Sequence, residues 1–292
     1  MRPKISIVTP SYNQGRFLEE TILSVLNQRY EPLEYIIIDG GSSDESVEII
    51  RRYEKHLAFW VTEKDRGQVH ALNKGFERIT GNIAGFINSD DVYLPGAFNA
   101  VVDHFEARPA CEWLCADTVL FGQGYPTKLV IANVPKSAAH ALSWAYRAPQ
   151  PGMFWRSELI QCGFQEPWPY DFDHDLYVRL LLDGHACEHV PLPIAGYRLH
   201  EASKTVAEKH RQIAEFEQSA QFYEPRLRGA DRRWCRATGY LRKAYAASTA
   251  GNKPDAARWL LRALVTYPEG LAGRPFWGCA RRLFNGPTSE PF

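Results

Sequence analysis

Long hydrophobic runs are missing from this 292-residue chain, and no apolar stretch in it could span a bilayer as a helix. The opening M-R-P-K-I-S-I-V-T-P is too short and polar for a secretory leader, so a cytoplasmic chain is expected. Cysteine is sparse. The 6 cysteines show neither zinc-ligand spacing nor a disulfide framework, which fits a reducing compartment. Cys111 and Cys115 have the same-face spacing of a strand and read as core. The first strand–helix turn has no G-x-G-x-x-G, which argues against a nicotinamide oxidoreductase. No second acid stands two residues beyond Asp39, which argues against a phosphatase with an aspartyl nucleophile. Net charge is absent as well, with 34 Lys and Arg against 34 Asp and Glu. The balance is uneven, because about 13 basic residues and 4 acidic ones follow Glu224. The acidic front part would repel phosphate, so nucleic acid is not the expected partner.

What is present is an alternation. Lys4–Val8, Leu33–Ile38, Leu57–Thr62 and Ile83–Ile87 are short apolar runs, as strands buried on both faces should be. Segments with helical spacing separate them: Gly15–Gln28 with Phe17, Ile22, Val25 and Leu26, then one through Val47, Ile50 and Tyr53, then one through Ala71, Leu72 and Phe76. Such a pattern predicts an α/β fold with a mostly parallel sheet and helices on both faces. Pro10 should end the first strand, and Ser42 or Ser43 should cap the second helix. Later, Pro95–Ala107 and Asp173–Asp183 read as helices. Trp113–Phe121 and Thr127–Ile131 read as an antiparallel pair, Gln150–Arg156 as extended chain and Ala195–Leu199 as a last strand. From Ser203 the chain reads as helical: Ser203–Tyr223, Asp231–Ala250, Pro254–Val265 and a basic end near Arg274–Phe284.

The chemistry gathers where strands end. Ile83–Ile87 runs into Asn88-Ser89-Asp90-Asp91, and ligands of open α/β sheets sit beyond the carboxyl ends of their strands. Two adjacent carboxylates cannot both stay charged and dry, so a cation is their natural partner. A hard divalent ion that keeps waters and takes phosphate oxygens suits so few protein ligands. The competing reading is a polar turn ahead of the helix near Pro95.

In order along the chain stand T-P-S-Y-N, D-G-G-S-S-D, E-K-D-R-G-Q-V-H-A-L-N-K-G, N-S-D-D-V-Y-L-P-G-A, D-F-D-H-D-L-Y-V-R-L and Y-R-L-H-E-A-S-K. Together, over about Ile5–Thr205, they resemble the family 2 glycosyltransferases, inverting enzymes of GT-A fold. The resemblance implies that Thr9, Pro10, Ser11 and Tyr12 wrap a nucleoside, with Asp39, Asp65 and Lys74 near the nucleotide. It implies Asp91 as ligand of Mn2+ or Mg2+, with His200 on metal or diphosphate. Asp90 is placed on ribose or the ion's water shell. Arg198 and Lys204 could add positive charge for phosphate. Asp173 matches the family's general base, but Phe172 stands where another acid is usual, so Asp171 and Asp175 remain alternatives.

The implied reaction moves a sugar, of hexosyltransferase type, from a nucleotide-diphosphate donor such as a UDP-sugar. The acceptor is a hydroxyl of a glycan or lipid-linked glycan in cell-envelope polysaccharide synthesis. The alternative is a sugar-nucleotide-binding module without turnover. Residues 1–205 are expected to form the catalytic domain and 206–292 a helical appendage. Its arginines, interleaved with Trp234, Tyr240, Trp259 and Trp277, would suit peripheral contact with an anionic membrane at its inner face, or a basic face packed on the protein.

Overall fold

The structure, a computed structural model, describes residues 2–143 and 146–269. The first half alternates as its sequence pattern demands: β1 (Ile5–Ser11), α1 (Gly15–Leu26), β2 (Leu33–Asp39), α2 (Ser46–Tyr53), β3 (Phe59–Thr62), α3 (Gln68–Phe76) and β4 (Ile83–Phe86). Then come β5 (Val92–Tyr93), α4 (Ala97–Ala107), β6 (Trp113–Phe121), β7 (Lys128–Val130), α5 (Ala138–Ala141), β8 (Met153–Arg156) and α6 (Ser157–Ile160). The described chain finishes with α7 (Phe172–Leu182), β9 (Cys187–Arg198), α8 (Lys204–Ala207), α9 (Lys209–Tyr223), α10 (Gly229–Thr249) and α11 (Lys253–Thr266).

The chain divides into two compact units. Among the described residues, the first is 2–137 with Tyr146–Glu215, and the second takes up 138–143 and 216–269. In the first unit the strands form one mixed sheet in the order β3-β2-β1-β4-β8-β6-β9-β5, with β7 added to β6. β3, β2, β1 and β4 are parallel, so their polar ends share an edge. β8 runs antiparallel to β4 and β6, and β9 runs parallel to β6.

Two apolar layers sandwich this sheet, and strand periodicity assigns residues to each. Ile5, Ile7, Tyr35 and Ile37 face Leu18, Ile22 and Val25 of α1, Ile50 of α2 and Val101 of α4. Their neighbours Val8, Ile36 and Ile38 face Val69, Leu72 and Phe76 of α3 and Leu176 and Leu180 of α7. Each such side chain, fully buried, contributes about 1.5–3 kcal/mol of transfer free energy.

Four expectations need correction. Pro10 does not end β1: it pairs with Ile38 inside the ladder. On its other side β4 pairs only with Ile5–Val8, so the missing N–H falls beyond that partner. Ser42 and Ser43 do not cap α2, which begins at Ser46. Ser42 Oγ instead donates to Asp39 Oδ1 at 2.5 Å and accepts from Asn13 N at 2.8 Å. The last strand starts at Cys187, eight residues early, because Pro191 and Pro193 sit where β9 and β6 slip in register. The helix expected over Ser203–Tyr223 is two, α8 and α9, broken at Glu208.

In the second unit α10 and α11 pack through Ala237, Leu241, Ala244, Leu260 and Ala263. Asn252 caps α11 by accepting from Asp255 N at 3.2 Å. No helix among the described residues is long and apolar enough to cross a membrane. The basic end expected near Arg274–Phe284, and Trp277 with it, lies outside the described residues.

Candidate active site

An open cleft of about 590 Å3 lies beyond the ends of β1 and β4, within the first unit. Pro10, Ser11 and Tyr12 line one side, and Tyr12 is 62% exposed, which leaves an aromatic side chain open to the cleft. Gly40 and Asp65 line the same cavity and touch each other: a Cβ on Gly40 would stand 2.7 Å from Asp65 Oδ2. Thr9, Asp39 and Lys74 are not among the lining residues. Thr9 is buried against Tyr35 OH at 3.1 Å. Lys74 is ion-paired with Glu63. The buried Asp39 carboxylate organises the turn after β2. It accepts from Gly41 N (3.1 Å), Ser42 N (2.9 Å) and Thr62 Oγ1 (2.7 Å), with Gly41 at a φ of +84° that favours glycine.

The acidic pair after β4 divides by burial. Asp90 lines the cleft, and its Oδ2 lies 3.0 Å from His200 Nε2. Asp91 is wholly buried. Its Oδ1 accepts from Arg198 N at 2.8 Å, Oδ2 faces Asn88 Nδ2 at 3.5 Å, and its carbonyl accepts from Thr21 Oγ1 at 2.7 Å. Burial, with Asp90 beside it, pushes the Asp91 carboxyl well above the usual range. Arg198 does not line the cleft. Its guanidinium donates to Asp90 O (2.7 Å) and Glu20 Oε2 (2.5 Å) between the rings of Phe17 and Phe121.

The three acids around α7 divide likewise. Asp171 Oδ2 meets His174 Nδ1 at 2.8 Å, and Asp175 Oδ2 accepts from Arg179 Nε at 2.9 Å; both carboxylates are buried. Asp173 alone of the three lines the cleft. Burial first, then the charge of Asp171, pushes it up to about 6. Phe172, standing where the family pattern has an acid, packs at 6.1 Å from Phe86 and 5.2 Å from Phe164. Phe86 stacks on Trp155 in turn, so this position belongs to an aromatic floor.

Sequence reasoning missed Gln68 and the amide of Gln150. Gln68 Nε2 donates to Asn88 Oδ1 (2.6 Å), Asn88 Nδ2 to Gln150 Oε1 (3.2 Å), and Gln150 Nε2 to Phe86 O (2.9 Å). Neutral amides leave no charge pattern to find them by. Elsewhere, His104, Cys111 and Glu188 bring three potential ligand atoms together. Glu188 Oε2 already takes both His104 Nε2 and Arg108 Nη1 at 3.1 Å, so this cluster is an ion-pair network tying α4 to β9.

The cleft thus lies at the ends of parallel strands of a GT-A fold, with Asp90, bonded to His200, and the separate carboxyl of Asp173 on its lining. The family model "Glycosyl transferase family 2" matches residues 6–133, the stretch that carries β1 to β4 and the acidic pair. An uncharacterised glycosyltransferase of Nostoc sp. is 33% identical over 169 residues, covering 54% of this chain and 52% of its own. A Bacillus subtilis protein named "Putative teichuronic acid biosynthesis glycosyltransferase TuaG" is 38% identical over 144 residues, covering 48% of this chain and 56% of its own. The chain thus spans about half the length of these curated relatives. Among solved structures, Staphylococcus aureus TarS 1–349 with UDP-GlcNAc superposes with a TM-score of 0.66 at 14% identity, over 97% of this chain and 89% of that one. The mannosyltransferase PcManGT of Pyrobaculum calidifontis, with GDP-Man and Mn2+, gives 0.60 at 19% identity, over 99% and 89%.

Proposed function

We propose that the chain is an inverting glycosyltransferase that binds a nucleotide-diphosphate sugar in this cleft and transfers the sugar to a hydroxyl. The observation that carries the reading is the division of labour among acids: Asp90 lines the cleft and is bonded to His200, which does not line it, while Asp173, also at the cleft, has a carboxyl pushed up to about 6. Tyr12 stacks on the base, and Pro10, Ser11 and Asp65 border the nucleoside. Asp39 shapes the wall by holding its turn. We place a divalent cation on Asp90 and His200 rather than on Asp91, whose oxygens are buried. The carboxylate fits Mn2+ or Mg2+, the imidazole suits Mn2+ better than the harder Mg2+, and so few protein ligands leave room for phosphate and water. When bound, such an ion neutralises charge on the departing diphosphate.

Asp173 accepts the acceptor hydroxyl's proton as that oxygen bonds to the anomeric carbon. The bond from that carbon to phosphate breaks on the opposite face, its electrons leave with the diphosphate, and configuration inverts. The acceptor we propose is a glycan, free or lipid-linked, in cell-envelope synthesis, in keeping with what TuaG is named for. We assign catalysis to residues 1–205 and regard the helices beyond as an appendage with a basic face towards anionic lipid. Diphosphate release from a panel of UDP-, dTDP- and GDP-sugars, with acceptor glycans, tests the reading. Turnover of one donor is expected; binding without release would make the chain a sugar-nucleotide module.

A further inference from the structure

The Asp173 carboxylate takes its place from backbone. Its Oδ1 accepts from the adjacent His174 N at 2.9 Å, so it follows the first turn of α7. The chain reaches that turn through Pro167-Trp168-Pro169-Tyr170-Asp171. Pro167 and Pro169 have no N–H, so this approach has few donors with which to hold itself. Trp168 N reaches Gln165 O only at 3.4 Å. The Asp171 side chain does not cap α7, because it is turned to His174 Nδ1.

The approach is held from α9 instead. Glu215 Oε2 accepts from Tyr170 N at 2.7 Å and from Asp171 N at 3.1 Å. One turn earlier on the same helix face, Arg211 Nη1 donates to the Tyr170 hydroxyl at 2.8 Å, and Gln212 lines the cleft with Pro169 and Tyr170. Asp171 O in turn accepts from Asp175 N at 2.9 Å, so the residue that Glu215 grips is the one on which α7 starts. All these contacts lie within the first unit. Burial pushes the Glu215 carboxyl up, its two amide bonds pull it down, and Asp171 adds to the rise. A neutral amide oxygen at the same place would avoid the cost of the charge and keep both bonds.

We propose that Glu215 is a positioning residue for sugar transfer: by gripping the two amides at the entry to α7 it sets Asp173 at the cleft. The opening turns of α9, beyond residue 205, then serve the reaction. Glu215 itself does not line the cleft, so it acts through the backbone of Tyr170 and Asp171. This rests on the reading of Asp173 as the base.

The test compares the full-length wild type, Glu215→Ala and Glu215→Gln on whichever donor of the UDP-, dTDP- and GDP-sugar panel wild type turns over. Glu215→Ala should lower kcat about tenfold or more and leave the donor KM within about twofold, as a misplaced base would. Glu215→Gln should restore most of that loss, because its amide oxygen still accepts from both N–H groups. Hydrogen exchange over residues 168–175 reads the grip without activity: it should quicken in Glu215→Ala and stay near wild type in Glu215→Gln. Unchanged exchange in Glu215→Ala, a kcat within about threefold of wild type, or equal impairment of the two variants overturns the positioning role. If Asp173→Asn is inactive when that happens, the base reading stands alone; if Asp173→Asn turns over like wild type, both fall.

Discussion

His200 Nε2 and Asp90 Oδ2 lie 3.0 Å apart across 110 residues of sequence, joining the loop after β4 to the end of β9. Asp91, the next residue, turns the other way and is buried on the backbone of Arg198. The pair therefore predicts a split between two near-isosteric variants. Asp90→Asn should abolish the stimulation of diphosphate release by Mn2+ or Mg2+. Asp91→Asn keeps an oxygen for Arg198 N and should retain it. A chelator titration on both variants decides; loss of the cation response in Asp91→Asn alone would return the ligand role to Asp91.

Asp173 must be ionised to take a proton, so with a pKa of about 6 the rate should fall as pH drops through 6 and level off above it. The profile of kcat/KM between pH 4.5 and 8.5 reads this limb directly. Asp173→Asn should lower transfer by roughly 100-fold or more with little change in donor affinity. If Asp171→Asn or Asp175→Asn is the inactive variant while Asp173→Asn turns over, the base is misassigned.

The same carboxyl makes a stability prediction of opposite sense. Its folded pKa exceeds the unfolded value near 4, so it contributes stability at low pH that is lost as pH rises through 6. Asp173→Asn should therefore raise Tm at pH 7.5 and leave it nearly unchanged at pH 4. Thermal unfolding at the two pH values measures this, and a lower Tm at pH 7.5 would contradict it.

Phe172→Glu restores the acid of the family pattern. It also removes a ring from the floor formed with Phe86 and Phe164 and adds a charge beside Asp173. Destabilisation of about 3 kcal/mol or more is expected in urea unfolding. An unchanged midpoint would mean the floor does not depend on that ring.

In the second unit, Lys243, Arg258 and Arg262 surround the Trp259 ring at 4.9, 5.5 and 4.9 Å, and Leu261 and Val265 are exposed along the same helix. Such a face suits an anionic lipid surface. Co-sedimentation with anionic vesicles should appear at low salt, fade as salt rises, and vanish in a Lys243→Glu, Arg258→Glu, Arg262→Glu variant. Equal recovery in the supernatant with and without vesicles would rule the contact out.

The sequence made β1 to β4 legible because each is a continuous apolar run beside a local helix. β9 was cut short because prolines and the polar Glu188 and His189 interrupt it, and only its long partner β6 holds that segment extended. Of the residues the resemblance implied, Pro10, Ser11, Tyr12, Asp65, Asp90 and Asp173 line the cleft, whereas Thr9, Asp39, Lys74, Asp91 and His200 do not. The split between Asp90 and Asp91 was not, because it is decided by Arg198, 107 residues beyond Asp91. Nor could spacing reveal that the Asp39 carboxylate is occupied by its own turn.

That dependence on Arg198 has a consequence for a chain emerging from the ribosome. The parallel strands can pair once β4 is out, but the loop that carries Asp90 and Asp91 is fastened from Thr21 on one side and Arg198 on the other. Until residue 198 has been synthesised, Asp91 lacks the backbone amide that holds it, and Asp90 lacks His200. The nascent protein thus acquires its scaffold well before its chemistry, and a chain stalled between the two would be folded in part yet inert.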